Sequence, residues 1–260
     1  MQVLRSSMPW SVLGIVLLTG VSPLLAREHM AASSASDHVV AAVDVVLTHR
    51  VIEADGTPAI PISTESAFTL QKLRTGSGAT KIRLTYRPAR PGVSASAPRT
   101  PLVGARVEYD PASQSTTVFD EDGQRPNPRL SLTRSSAALG SFDSWLESLV
   151  IAPADVSARE QALERSHGRP VGRVGGLSRY VQVRGEFSEE LLVDPESALP
   201  VEVNVVRQNV LETHTTIEYG TTARGQLVRQ RLRSEQLIDA SSGRRSVVDV
   251  DFSNVAAEGW

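Results

Sequence analysis

Four consecutive segments of the C-terminal third share one pattern, in which side chains of opposite character alternate residue by residue. In Leu199–Arg207, Val201, Val203 and Val205 alternate with Glu202, Asn204 and Val206. In Val210–Gly220, Leu211, Thr213, Thr215, Ile217 and Tyr219 fall on one face, and Glu212, His214, Thr216 and Glu218 on the other. In Gln226–Gln236, Leu227 shares a face with Arg229, Arg231 and Arg233, while Val228 and Leu232 point the opposite way. In Arg245–Val255, Val248, Val250 and Phe252 oppose Asp249 and Asp251. A period of two is the mark of half-buried strands, because successive side chains leave a pleat on opposite sides. From about Ser188 to Val255 the chain therefore reads as successive strands of one antiparallel sheet.

The upstream sequence extends that reading. Val39–Ile52 suits a long first strand through Val43, Val45, Leu47, His49 and Val51, although Val39–Val43 also fits the start of a short helix. Thr57–Ser63 is a loop, since its two prolines remove ladder donors. Ala67–Arg74 and Lys81–Arg87 form a hairpin about Gly76–Gly78, and Val103–Tyr109 pairs with Ser115–Phe119 around Asp110–Ser113. Pro88–Pro101 is an exposed excursion, and Asp120–Gly123 a turn. Between these strands and the C-terminal ones, Leu139, Phe142, Trp145, Leu146 and Leu149 follow helical spacing, with Ser141 as N-cap and Pro153 beyond the end. Ser157 and Glu160 have the spacing of a capping box for a second short helix that stops near Gly168 and Pro170, and Gly172–Gly176 reads as a flexible joint. The predicted fold is mainly β (α+β): one curved antiparallel sheet with a short helical insert on one side.

Residues 1–26 have the form of a signal peptide: Arg5, then the uncharged apolar run Ser11–Ala26, then Arg27. A membrane anchor is the alternative, but Gly20 and Pro23 interrupt a run already short of the ~20 residues a spanning helix needs. Residues 27–38 read as a mobile Ala/Ser-rich leader, and 39–260 as a single domain. Cysteine is absent, so an exported chain has no disulfides and no lipobox cysteine for acylation. This predicts a soluble periplasmic protein whose stability rests on an apolar core. A net charge of −2 makes no case for nucleic acid.

No catalytic motif stands out. Gly176-Leu-Ser178-Arg-Tyr180 lacks the second glycine of a nucleophile elbow, and Gly76–Lys81 fails the spacing of a phosphate loop. The five histidines are scattered, and Asp120-Glu-Asp122 does not satisfy a calcium loop. No enzyme activity, cofactor or metal is expected. The Arg229/Arg231/Arg233 stripe is placed to face Asp249 and Asp251 in cross-strand pairs worth about 0.2–1 kcal/mol each.

The run Glu189-Glu-Leu-Leu-Val-Asp194-Pro195-Glu-Ser-Ala-Leu199-Pro200-Val201 resembles the strand, Asp-Pro turn, Leu-Pro, strand hairpin of the LolA/LolB-type lipoprotein-carrier superfamily. Phe252-Ser253-Asn254-Val255 is similar to the end of a late strand in that family. The resemblance implies an unclosed β-barrel, lidded by helices, that holds a lipid, an acylated protein or another apolar ligand in its concave face. On that reading, side-chain alternation and helical spacing nominate Phe142, Trp145, Leu146, Leu149, Val203, Ile217, Val250 and Phe252 as ligand-facing residues. A monomer is expected, with an acylated ligand or a lipoprotein as partner. The RseB-like relatives imply a different reading: an envelope protein-interaction or regulatory domain without lipid cargo. Two departures bear on the choice. The Pro88–Pro101 excursion is unusual for a compact carrier, and three Trp, four Tyr and five Phe are few for lining a pocket.

Overall fold

A computed structural model describes residues 37–59, 64–88, 104–119, 149–151 and 155–257. Among them the chain forms twelve strands of one antiparallel sheet. The first five are β1 (His38–Ile52), β2 (Thr64–Arg74), β3 (Thr80–Arg87), β4 (Arg106–Asp110) and β5 (Ser115–Phe119). Helix α1 (Val156–His167) precedes β6 (Gly172–Val174), β7 (Leu177–Arg184), β8 (Phe187–Asp194), β9 (Leu199–Arg207), β10 (Val210–Thr221), β11 (Leu227–Asp239) and β12 (Arg244–Ala257). Their order is β5-β4-β3-β2-β1-β12-β11-β10-β9-β8-β7-β6, which leaves β5 and β6 as edges, so the half-barrel is unclosed.

Two meanders thus meet where β1 pairs with β12, and the connection from β5 to β6 passes from one edge to the other. The described parts of that connection lie on the apolar face. Leu149 is 1% exposed and joins the main core cluster, and Leu163 of α1 packs on Tyr180, Leu191 and Val193. Rows across the ladder show why the two clusters share a face. Tyr180, Leu191, Val203, Thr215, Ser234, Val248 and His49 are successive register partners. The next row runs Ile217, Leu232, Val250, Leu47. Val43, Val45, Phe68, Leu70, Leu84 and Tyr86 continue the core toward β4, and burial pushes the Tyr86 hydroxyl up to about 12.

The opposite face holds paired charges beside the buried Val46 and Val247. Arg87 meets Asp44 at 3.0 Å, Arg83 meets Glu108 at 2.8 Å, and Arg179 meets Glu190 at 2.8 Å. Arg231 lies opposite Asp251 and contacts it at 3.4 Å, as the alternation predicts. Arg233 lies opposite Asp249 but binds Glu235 at 2.7 Å, because Arg50 of β1 reaches Asp249 at 3.0 Å from the other side. Arg229 leaves the stripe altogether. Glu218 pairs with Arg231 and Tyr219 with Arg229, so Gln230 is an extra residue and its bulge turns Arg229 to the face of Tyr219.

Three local readings change with the structure. The N-cap of α1 is Asp155, whose Oδ1 accepts from Ala158 N at 2.9 Å; Ser157 is already inside the helix, so the Ser157/Glu160 capping box does not form. Gly172–Gly176 is not a flexible joint. Its first three residues are β6, and Gly175 and Gly176, at φ 57° and 89°, make the two-residue turn into β7. β1 is a strand throughout, without a helical start, and it begins at His38. The Pro88–Pro101 excursion from Ala89 onward, the Asp120–Gly123 turn and the helix through Phe142, Trp145 and Leu146 lie outside the described residues.

Candidate functional site

The sheet divides between its two longest C-terminal strands. β11 and β12 pair from Asp239/Arg244 only as far as Arg231/Asp251. Beyond that point β12 runs on along β1 to Ala257, and β11 keeps only β10 as a strand partner. A bulge stands on each side of the division. Gln230 is extra on β11; on β12, Asn254 and Val255 stand against Val43 alone, with Asn254 at φ 52°. Bulges bend a strand and add local twist, which turns the two strands apart. The crossing segment fills part of the opening. Val150 bridges Val228, and Ile151 N donates to Leu227 O at 3.0 Å.

The remaining space is a cavity of about 340 Å³. Val39–Ala42 of β1, Val255 and Ala256 of β12 and Thr222, Ala223, Arg224 and Gln226 of the β10–β11 turn line it. Its volume has a simple source. Ala42 lies opposite Ala256, so small residues meet across the pair where large ones would fill the space. Seven of the ten lining residues are valine or alanine; Thr222, Gln226 and the cationic Arg224 are the polar ones. Such a cleft suits an apolar body.

A polar group flanks the division on the apolar face. Tyr219 donates its hydroxyl hydrogen to Pro200 O at 2.8 Å and is hydrogen-bonded to Arg229. Burial raises the Tyr219 hydroxyl and lowers the Arg229 guanidinium, and their mutual contact opposes both shifts. Arg159 of α1 donates to Ser197 O at 2.9 Å, which ties the helix to the β8–β9 turn. Nearer the middle of β10, Thr215 and the buried Ser234 share a hydrogen bond of 3.1 Å.

The eight residues nominated from the sequence fall into three groups. Val203 and Ile217 lie on the apolar face, Val203 half-buried beside the Tyr180 cluster and Ile217 beside Leu232. Leu149, Val250 and Phe252 meet in the main core, 1%, 0% and 5% exposed. Phe142, Trp145 and Leu146 lie outside the described residues. None of the five described ones lines the cavity. Its lining was hard to find in sequence because alternation marks which face a residue takes, not where two strands part. The available signals were the paired alanines and Asn254, a residue type that tolerates positive φ.

The fold and its division define a class: an unclosed antiparallel half-barrel whose apolar face is crossed by one connection and opens between two central strands. No family model matches the sequence, and no curated protein matches it. Solved structures do. An outer membrane lipoprotein-sorting protein domain from Vibrio parahaemolyticus is 9% identical, with 84% of this chain and 86% of that one covered and a TM-score of 0.36. A DUF1329 family protein from Desulfovibrio piger is 11% identical over 85% and 87%, with a TM-score of 0.37. A LolA superfamily protein from Nitrosomonas europaea is 14% identical over 84% and 87%, with a TM-score of 0.35. The superfamily that the Glu189–Val201 run resembles is named among the similar structures. The fold class stands on the strand order and register of this chain itself. Among the described residues, no helix is long and apolar enough to cross a membrane, and no group of three His, Cys, Asp or Glu is placed to hold a metal ion.

Proposed function

We propose that this is an exported, periplasmic binding protein that carries or senses a lipid, an acylated protein or another apolar ligand. The observation that supports it is the cavity at the division of β11 and β12, lined mostly by valine and alanine. An acyl chain entering there buries methylene groups at about 0.8 kcal/mol each. The action is passive. Among the described residues, Leu149–Ile151 is held to β11 by one bridge, one backbone bond and the packing of Leu149 in the core, and its displacement would join the cavity to the apolar face. Lifting Leu149 uncovers Val250 and Phe252, which share its cluster, and Phe142, Trp145 and Leu146 are the proposed covering residues on the same connection. Ile217 and Val203 continue the path toward α1. Release then follows contact with a partner that takes up the ligand.

The test is native mass spectrometry of the gently purified protein, followed by organic extraction, in parallel with Ala42→Trp, which fills the cavity. The proposal expects a bound phospholipid, fatty acid or lipopeptide of defined mass, and at least a tenfold loss of apolar-dye uptake in Ala42→Trp, equal to about 1.4 kcal/mol. An apo mass together with no uptake of dye by the unaltered protein would sink it.

A further inference from the structure

From Arg165 to Gly185 the sequence holds five arginines and no carboxylate, in a chain whose net charge is −2. The fold gathers this stretch at one edge of the sheet. β6 is the edge strand and its three residues are all exposed. It pairs with β7 only over Leu177–Arg179, with one further bond from Val171 N to Arg179 O at 2.8 Å. Pro170 then ends the pairing, since it has no N–H to donate. β7 runs on through Tyr180–Arg184, and no strand among the described residues pairs with that part on the outer side. The edge is therefore stepped, with a short strand beside a longer one whose outer side has no strand partner among the described residues over Tyr180–Arg184.

The side chains around the step are of two kinds. Val171, Val174 and Val183 are 62%, 47% and 70% exposed, an apolar content that an edge strand does not ordinarily show to water. Arg169 and Arg173 are exposed, and among the described residues neither forms an ion pair. Arg184 is exposed and donates to Gln182 at 2.7 Å. Arg179, nearer the sheet, already has its carboxylate in Glu190. Exposed edge groups, valines and arginines without carboxylates match one kind of occupant: an extended chain that offers backbone bonds, apolar side chains and acidic ones.

We propose that the β6–β7 edge is a docking site for an extended acidic polypeptide segment, which adds to the sheet as a further strand. Backbone bonds to the step give affinity, while carboxylates on the incoming strand meet Arg169, Arg173 and Arg184. In the sheet, β8, β9 and β10 separate the site from the β11–β12 cavity, and the site does not depend on a ligand there.

The probe is a fluorescein-labelled twelve-residue peptide of alternating glutamate and valine, titrated against the full chain by anisotropy. Hydrogen exchange is followed in parallel at Val181–Arg184. The expected result is saturable binding with slowed exchange at Val181 and Val183. Arg173→Glu/Arg184→Glu should weaken binding about tenfold, and Arg231→Glu, on the polar face away from this edge, should leave it unchanged. A peptide N-methylated at alternate residues must lose binding. Equal binding of the N-methylated peptide would mean charge attraction without strand addition and would overturn the proposal. So would absence of binding, or binding to phosphatidylglycerol vesicles that the peptide fails to displace.

Discussion

Asp44 joins the two meanders at one carboxylate. Thr69 Oγ1 donates to it at 2.6 Å, Asn254 Nδ2 at 2.8 Å and Arg87 Nη1 at 3.0 Å, from β2, β12 and β3 respectively. Burial alone would raise its pKa; the hydrogen bonds from Thr69 and Asn254 and the charge of Arg87 outweigh that and hold it below the ordinary carboxylate value. Asp44→Ala leaves those donors without their acceptor and should cost about 1–3 kcal/mol at neutral pH, measured by urea unfolding. The pH dependence has a definite sign. A carboxylate whose pKa is lower in the folded state contributes stability above its unfolded pKa and loses it as pH falls through the folded one. Asp110 and Asp194, held down chiefly by Ser113 and Ser197 in their turns, act in the same direction. Unfolding free energy should therefore decline below about pH 4, less steeply in Asp44→Asn than in the unaltered protein. A flat acid limb in both would contradict the assignment.

Among the elements, α1 rests on little. None of its residues is fully buried; Leu163 meets the Tyr180 cluster, His167 stands 3.7 Å from Glu189, and Gln182 donates to Ser166 O at 3.0 Å. Asp155→Ala removes the N-cap bond and should cost about 1 kcal/mol, seen as faster amide exchange at Ala158 with the sheet amides unchanged. Leu163→Asp should release the helix from β7–β9 while the ladder persists, read as a local loss of protection over Val156–His167. Elements were the most legible scale in the sequence. Alternation marked β1, β9 through β12 and the β2–β3 and β4–β5 hairpins, because each strand buries one face and exposes the other. What stayed hidden depended on neighbours. Gln230 bears no mark of a bulge, so Arg229 was assigned to the wrong face; β6 has too few residues to show a period. Asp249 found Arg50 because β1 pairs with β12, and no local pattern encodes that pairing.

At the scale of the whole molecule, the pairing of β1 with β12 sets the character of the fold. It brings Asp44 to Asn254, 210 positions along the chain, and places Val45 beside Phe252 and Leu47 beside Val250 in the core. Such non-local contacts form slowly, because loop closure is costly before the contacts repay it. A permuted chain that joins Ala257 to His38 through a short turn, and opens between β5 and β6, would turn the sheet into one continuous meander. It should refold faster than the native order at comparable stability, as stopped-flow kinetics would show; equal rates would mean that the β1–β12 closure is not limiting. In the native order, β12 is the last of the twelve described strands to be made. Until it arrives, β1 has β2 on one side and a bare apolar edge on the other. A chain that stops before β12 lacks the strand at the centre of its sheet, so its two meanders have nothing to join them.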